Sequence, residues 1–156
     1  MSDRTTPPTS VRFASPLLTA GAQAVSHGVL PLTTDEHVVA LRRAVRERAL
    51  EIKLSLVDQT KLVTAASELA RNTIKYGGGG EAHVLVMTDR VRQGVRLVFA
   101  DDGPGIADLA LALTDGYTTG GGLGLGLSGA RRLVDEFEID TRPGQGTIVA
   151  AVKWKR

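Results

Sequence analysis

The chain has 156 residues, 42% of them hydrophobic, with 19 basic residues against 17 acidic ones and no cysteine. That length fits one domain with a core of ordinary size, and the lack of cysteine excludes a disulfide framework, a thiolate zinc site and a cysteine nucleophile. A net charge of +2 with only 4% aromatic residues argues against a dedicated nucleic-acid binder, which carries a basic stripe with aromatics nearby.

Residues 1–26 hold Pro7, Pro8 and Pro16 among many Ser, Thr and Ala. They read as a mostly disordered N-terminal extension, with Val11 to Phe13 as a candidate short strand. The folded domain is expected over residues 27–156. Val29 to Leu32 reads as a short strand. Thr34 or Asp35 then caps a helix, because a side-chain oxygen there accepts a free backbone N–H. Val38, Leu41, Val45, Ala49 and Ile52 follow at helical spacing. Ser55 or Asp58 starts a second helix carrying Leu62, Ala65, Ala66 and Leu69. It runs to Tyr76 and stops at Gly77-Gly78-Gly79-Gly80, where the backbone entropy is too costly for a helix. Strands over about 82–88 and 95–100 come next, joined by a turn near Gln93-Gly94. Asp101-Asp102-Gly103-Pro104-Gly105 ends the second of them. A short helix fits 107–113, and Thr114 to Gly126, with six glycines, reads as a mobile loop. A helix over about 127–134 precedes a hairpin, 136–141 and 147–154, turning at Arg142 to Gly146. No apolar run approaches the roughly 18 residues of a membrane-spanning helix. The N-terminus has no basic start followed by an apolar segment. A soluble, cytoplasmic protein is therefore expected.

Three constellations carry chemistry. Glu68 and Asn72 lie four apart on one helix and so share a face. An ionised Glu accepts a proton, and an Asn carbonyl ligates a hard cation. Lys75 is three further on and reaches the same patch, or simply complements the helix C-terminus. Asp101, at a strand end, can accept from an amino group beside glycines that let a flat ligand approach closely. Gly120 to Gly129, GGGLGLGLSG, alternates glycine with leucine and then enters a helix, which suggests backbone N–H groups facing an anion. Each constellation alone also suits a solvated helix face, an ordinary turn or a linker. Gly124, Gly126 and Gly129 match the dinucleotide spacing, but no strand leads into them. No lysine follows a glycine, so there is no P-loop. None of His27, His37 and His83 begins the protein-kinase catalytic loop or has zinc spacing.

The order matters more than any one piece. A helix with E-x-x-x-N, a strand ending in D-x-G-x-G, a G-x-G-x-G loop and a late G-x-G-T turn at Gly144 to Thr147 follow one another. This arrangement resembles the ATPase family of DNA gyrase B, Hsp90, histidine kinases and MutL (GHKL, the Bergerat fold). The match covers roughly residues 28–156. Within it, residues 56–80 and 114–139 are most similar to the RsbT-type switch serine/threonine kinases of the bacterial stressosome. The anti-sigma serine kinases RsbW and SpoIIAB are more distant. The resemblance implies an α+β two-layer sandwich, with a mixed, mainly antiparallel sheet and helices on one face. It implies ATP and Mg²⁺ as cofactors. It implies Glu68 as general base, Asn72 as Mg²⁺ ligand and Lys75 near a phosphate. Asp101 would take the adenine amino group, in a pocket shaped by Gly103 and Gly105. Gly122, Gly124 and Gly126 would wrap the phosphates, and Thr147 would support Asp101. The residues alone do not separate Asp101 from Asp102; the family pattern does.

By the same resemblance, the protein phosphorylates a STAS-domain partner of the RsbS or RsbR kind, and its release activates a PP2C-type phosphatase. The alternative is an anti-sigma factor that sequesters a sigma factor and phosphorylates its antagonist. A histidine-kinase remnant is disfavoured, since the chain leaves no room for a helical phosphoacceptor hairpin. No nucleic-acid or membrane partner is expected.

Overall fold

The computed structural model describes residues 22–114 and 126–156. The element order is β1 (Gln23–Leu32), α1 (Asp35–Glu51), α2 (Leu56–Lys75), β2 (Gly80–Thr88), β3 (Gln93–Asp101), α3 (Leu109–Ala112), α4 (Gly126–Arg132), β4 (Glu136–Arg142) and β5 (Gly146–Trp154). The five strands form one sheet in the order β1-β2-β3-β5-β4, and every pairing is antiparallel. The expected two-layer α+β architecture is present, without a parallel pair among the described strands.

Each helix begins where a side chain can satisfy a free N–H. Thr34 caps α1 in a capping box with His37, and Ser55 caps α2 by accepting from the Asp58 N–H. The apolar stripe Val38, Leu41, Val45 and Ala49 of α1 is buried. It packs with Leu62, Ala65, Ala66 and Leu69 of α2 against Val84, Val86, Leu97, Phe99, Val149 and Ala151 on one face of the sheet. Fully burying side chains of this size stabilises by about 1.5–3 kcal/mol each for Val, Leu or Phe. Lys153 joins the layers: its Nζ stands 3.5 Å from both Asp58 of α2 and Asp135.

The other sheet face carries Leu85, Val98, Ala100, Ile148 and Ala150. It also carries a line of polar groups, in which His27 and His83 meet nitrogen to nitrogen at 2.8 Å and His83 meets Glu81 at 2.6 Å. This line ties β1 to β2. Burial holds the His83 imidazole below its ordinary value, against the opposing pull of the Glu81 carboxylate.

Two expectations change. The first strand is not four residues long but ten, and residues 23–26, assigned to the extension, pair with β2. The signal is weak because β1 is an edge strand whose Val25 and Val29 stay exposed. The other residues of the extension, Val11 to Phe13 included, lie outside the described residues. The β2–β3 turn is not at Gln93-Gly94 but at Asp89 to Arg92, where the Asp89 carboxylate accepts from the Val91 and Arg92 N–H groups. Gly94 belongs to β3 for a steric reason: a Cβ there would lie 2.8 Å from the Trp154 ring. Glycine is the residue that lets this indole lie over the strand.

Candidate functional site

The second half of α2 faces the C-terminal end of β3, and a cavity of about 480 Å³ opens between them. Glu68, Asn72 and Lys75 line it from the helix, Asp101 and Thr147 from adjacent strands, and Gly105 and Gly126 from the connecting segments. Phe99, Ile106, Leu127 and Val149 supply apolar walls. That mixture, mostly apolar with a few convergent polar groups, is the usual makeup of a small-molecule site. Among the described candidates only Gly103 does not line the cavity; it sits behind Asp101 and donates its N–H to that carboxylate at 2.9 Å. Gly122 and Gly124, and the mobile loop expected around them, lie outside the described residues. Asp101 is a wall of this cavity, whereas the adjacent Asp102 is exposed.

Asp101 is 9% exposed. Burial pushes its carboxyl above the ordinary range, and the charge of Asp102 adds to this. The N–H groups of Gly103 and Thr147 pull the other way. The carboxylate is held in a tight setting. Gly77, the first residue after α2 and its cap Tyr76, lies so close that a Cβ on it would fall 2.3 Å from the Asp101 Cγ. In the sequence Gly77 is only a helix stop. In the fold its missing side chain is the space that Asp101 occupies.

At the helix end the setting is looser. The Glu68 side chain is 13% exposed and its Oε1 accepts from Arg71 Nη1 at 3.2 Å. Arg71 is 55% exposed and also lines the cavity. The Lys75 ammonium lies 5.3 Å from the centroid of the Tyr76 ring. Asn72 presents an amide oxygen suited to a hard cation. Among the described residues there is no group of three or more His, Cys, Asp or Glu that could cage a metal. Such a set fits Mg²⁺, which keeps several waters and is bound largely through substrate phosphates, better than a structural zinc.

A second connection is not visible in the sequence. Thr141 of β4 lies opposite Thr147 of β5. Its hydroxyl meets the Thr147 hydroxyl at 2.9 Å and accepts from the Ile106 N–H at 2.8 Å. The Gly144 N–H donates to the Pro104 carbonyl at 2.8 Å. The turn between β4 and β5 is thus fastened to the segment that follows Asp101.

Residues 57–155 match the family model described as histidine kinase-, DNA gyrase B-, and HSP90-like ATPase. The chain is 42% identical over 125 residues to the serine/threonine-protein kinase RsbT of Bacillus subtilis (strain 168), which spans 80% of this chain and 94% of that protein. It is 25% identical over 117 residues to the anti-sigma F factor of Thermoanaerobacter sp. (strain X514), across 72% of this chain and 82% of that one. Among solved structures, that of the RsbU and RsbW domains of Rv1364c from Mycobacterium tuberculosis superposes with a TM-score of 0.58 at 22% identity. It covers 84% of this chain, while this chain spans about a third (32%) of that one. No described helix is long and apolar enough to cross a membrane.

Proposed function

Because this chain belongs to the histidine kinase-, DNA gyrase B- and HSP90-like ATPase family, and within it to the RsbT-type partner-switching serine/threonine kinases, we propose that it moves the γ-phosphoryl group of ATP to a serine or threonine of a STAS-domain partner. The observation that supports this most is that a helix-borne carboxylate and amide line the same cavity as a buried aspartate at a strand end. In this reading Asp101 accepts from the adenine amino group, and Gly103, Gly105 and Thr147 hold that end. Asn72 holds Mg²⁺, Lys75 approaches a phosphate, and Gly122, Gly124 and Gly126 wrap the phosphate chain.

Phosphoryl transfer needs alignment, charge neutralisation and a proton acceptor rather than covalent help from the protein. Asn72 would hold Mg²⁺, which would supply the neutralisation of phosphate charge. Glu68 takes the proton of the substrate hydroxyl as its oxygen bonds to the γ-phosphorus. The bond from phosphorus to the β–γ bridging oxygen breaks and ADP leaves. In a stress-response switch of this kind, phosphorylating the STAS protein frees the kinase to engage a PP2C-type phosphatase, in the cytoplasm.

The test is transfer of label from [γ-³²P]ATP to candidate STAS proteins, with Glu68→Ala as control. Labelled serine or threonine that disappears in the variant supports the reading; no transfer to any STAS protein counts against it. Asn72→Ala should weaken the Mg²⁺-dependent part of ATP binding, and unchanged affinity would remove Asn72 from the metal. The similarity to an anti-sigma F factor favours a second reading, a sigma-sequestering kinase. Affinity capture separates the two, since a sigma factor as the stable partner would select that one.

A further inference from the structure

The sheet is apolar on both faces. Residues 82–87, 95–100 and 148–152 are almost continuous in hydrophobic side chains, the pattern of strands covered on two sides. One cover is the helix layer, where α1, α2 and α4 bury their apolar residues. On the other face the buried clusters, Leu85, Val98, Ala100, Ile148 and Ala150, then Met87, Val152 and Trp154, consist of strand residues alone. No described helix lies over them, yet none of the first five is more than 2% exposed. Arg96, on the same face, is also fully buried, with its Nη2 donating to Glu138 at 3.3 Å. The edges of this face differ. Val29 of β1, opposite His83, is 56% exposed, and Glu138 of β4, opposite Ala150, is half exposed. The three central strands are therefore covered and the two edge strands are not.

We infer that this face is the docking site of the chain's own N-terminal segment, residues 1–21, which covers β2, β3 and β5. Two observations single out that occupant. Ala22, the first described residue, packs against Met87, Val152 and Trp154, so the chain that precedes it starts on this face. The other stretch outside the described residues, 115–125, is tied at both ends to the helix side, where Thr114 follows α3 and Gly126 lines the cavity. The reach suffices. A segment of this length extends to about 70 Å at most, against about 15 Å across three strands and about 30 Å along a strand of nine residues. The chemistry fits as well. Val11, Phe13, Pro16, Leu17 and Leu18 bring apolar surface, and Arg4 and Arg12 bring positive charge. The face offers an apolar centre and, along its β4 rim, Glu136, Glu138 and Asp140, whose register sets them on the same side. Joining the two removes apolar surface that would otherwise favour self-association. The cavity lies on the helix side, so nucleotide binding does not depend on this cover.

The chain has no cysteine, so one introduced thiol reports one place. The experiment measures maleimide labelling of Ala150→Cys in the full chain, at the centre of the face between Val98 and Glu138. Val29→Cys, on the uncovered edge, is the control. Each reporter is made with the native segment and with Phe13→Ser, Leu17→Ser and Leu18→Ser combined. With the native segment the Ala150→Cys thiol should react slowly, at a rate independent of protein concentration. The serine substitutions should speed it by about a hundredfold or more, because three large apolar anchors are lost, while Val29→Cys reacts fast in both backgrounds. A second measurement leaves the segment's apolar residues in place. A nitroxide on Ser15→Cys should broaden the amide signals of Val98 and Ala150 more strongly than those of Val45 and Ala49 in α1. Three results overturn the inference: an Ala150→Cys thiol that labels as fast as Val29→Cys beside the native segment, one that stays protected after the serine substitutions, or a nitroxide that spares β3 and β5. Protection that vanishes on dilution, with a dimer in light scattering, overturns it too, since the occupant is then a second copy.

Discussion

The two ends of the cavity are built from different materials. Around Asp101 the contacts are made largely by backbone: Gly77 packed against the carboxyl, the Gly103 N–H bonded to it, and the Ile106 N–H bonded to Thr141 beside Thr147. Around Glu68 they are made by side chains on one helix face, with an ion pair to Arg71 that is more than half exposed on the arginine side. Closely packed and hydrogen-bonded backbone moves little, whereas exposed side chains exchange partners at small cost. The Asp101 end is therefore prearranged, which suits the base-reading role proposed for it, and the Glu68 end stays adjustable, which suits the proposed phosphate, cation and incoming hydroxyl.

If that contrast is right, substitutions at the two ends fail differently. Glu68→Ala should lower transfer by about 10²- to 10⁴-fold and leave ATP affinity within about twofold, measured by single-turnover kinetics and calorimetry. Loss of both together would make Glu68 structural and erase the contrast. Gly77→Ala should do the opposite: the added Cβ meets the Asp101 carboxyl, so stability falls by about 1–3 kcal/mol, as for other overpacked sites, and ATP binding goes with it. A denaturant melt and a nucleotide titration read both.

Asp101→Asn sharpens the comparison, because recognition and stability should part there. Affinity for ATP should drop by roughly 10- to 100-fold, the worth of a hydrogen bond to a charged group. Burial raises the folded-state carboxyl above its ordinary 3.8, so the folded protein holds this proton more tightly than the unfolded chain. The charge therefore costs stability in full above the folded value, and the cost is gone below the ordinary one. The asparagine protein should melt at or above the wild-type temperature at pH 7, and this advantage should vanish as the pH falls below the carboxylate range. The smallest effect belongs to Arg71→Ala. Its exposed pair with Glu68 is worth at most about 1 kcal/mol, so thermal stability should barely change.

Much of this was legible in the sequence. Element order, the caps at Thr34 and Ser55 and the buried stripe of α1 follow from spacing and end chemistry. Glu68, Asn72 and Asp101 stand out only through the order of their motifs and the family resemblance that order carries. What escaped is non-local. Gly77 reads as a helix stop, because the carboxylate that fills its side-chain space comes from a strand beyond the next hairpin. Thr141 looks like any strand threonine until the register opposes it to Thr147 and the Asp101 segment is laid across it. Gly94 mimics a turn, because the Trp154 ring that claims its space is distant in sequence.

The sheet order has a kinetic consequence. β5 enters between β3 and β4, so the ladder that joins Asp101 to Thr147 closes one of the longer loops in the domain. Contacts of that separation are slow to form, because loop entropy is lost before they stabilise anything. The β2–β3 hairpin and the α1–α2 pair have short connections and can assemble first, yet together they lack the wall that Thr147 supplies. Nucleotide then has nothing to recognise on a half-assembled chain. ATP should leave the refolding rate nearly unchanged while slowing unfolding, since it grips only the species in which the β3–β5 ladder has closed.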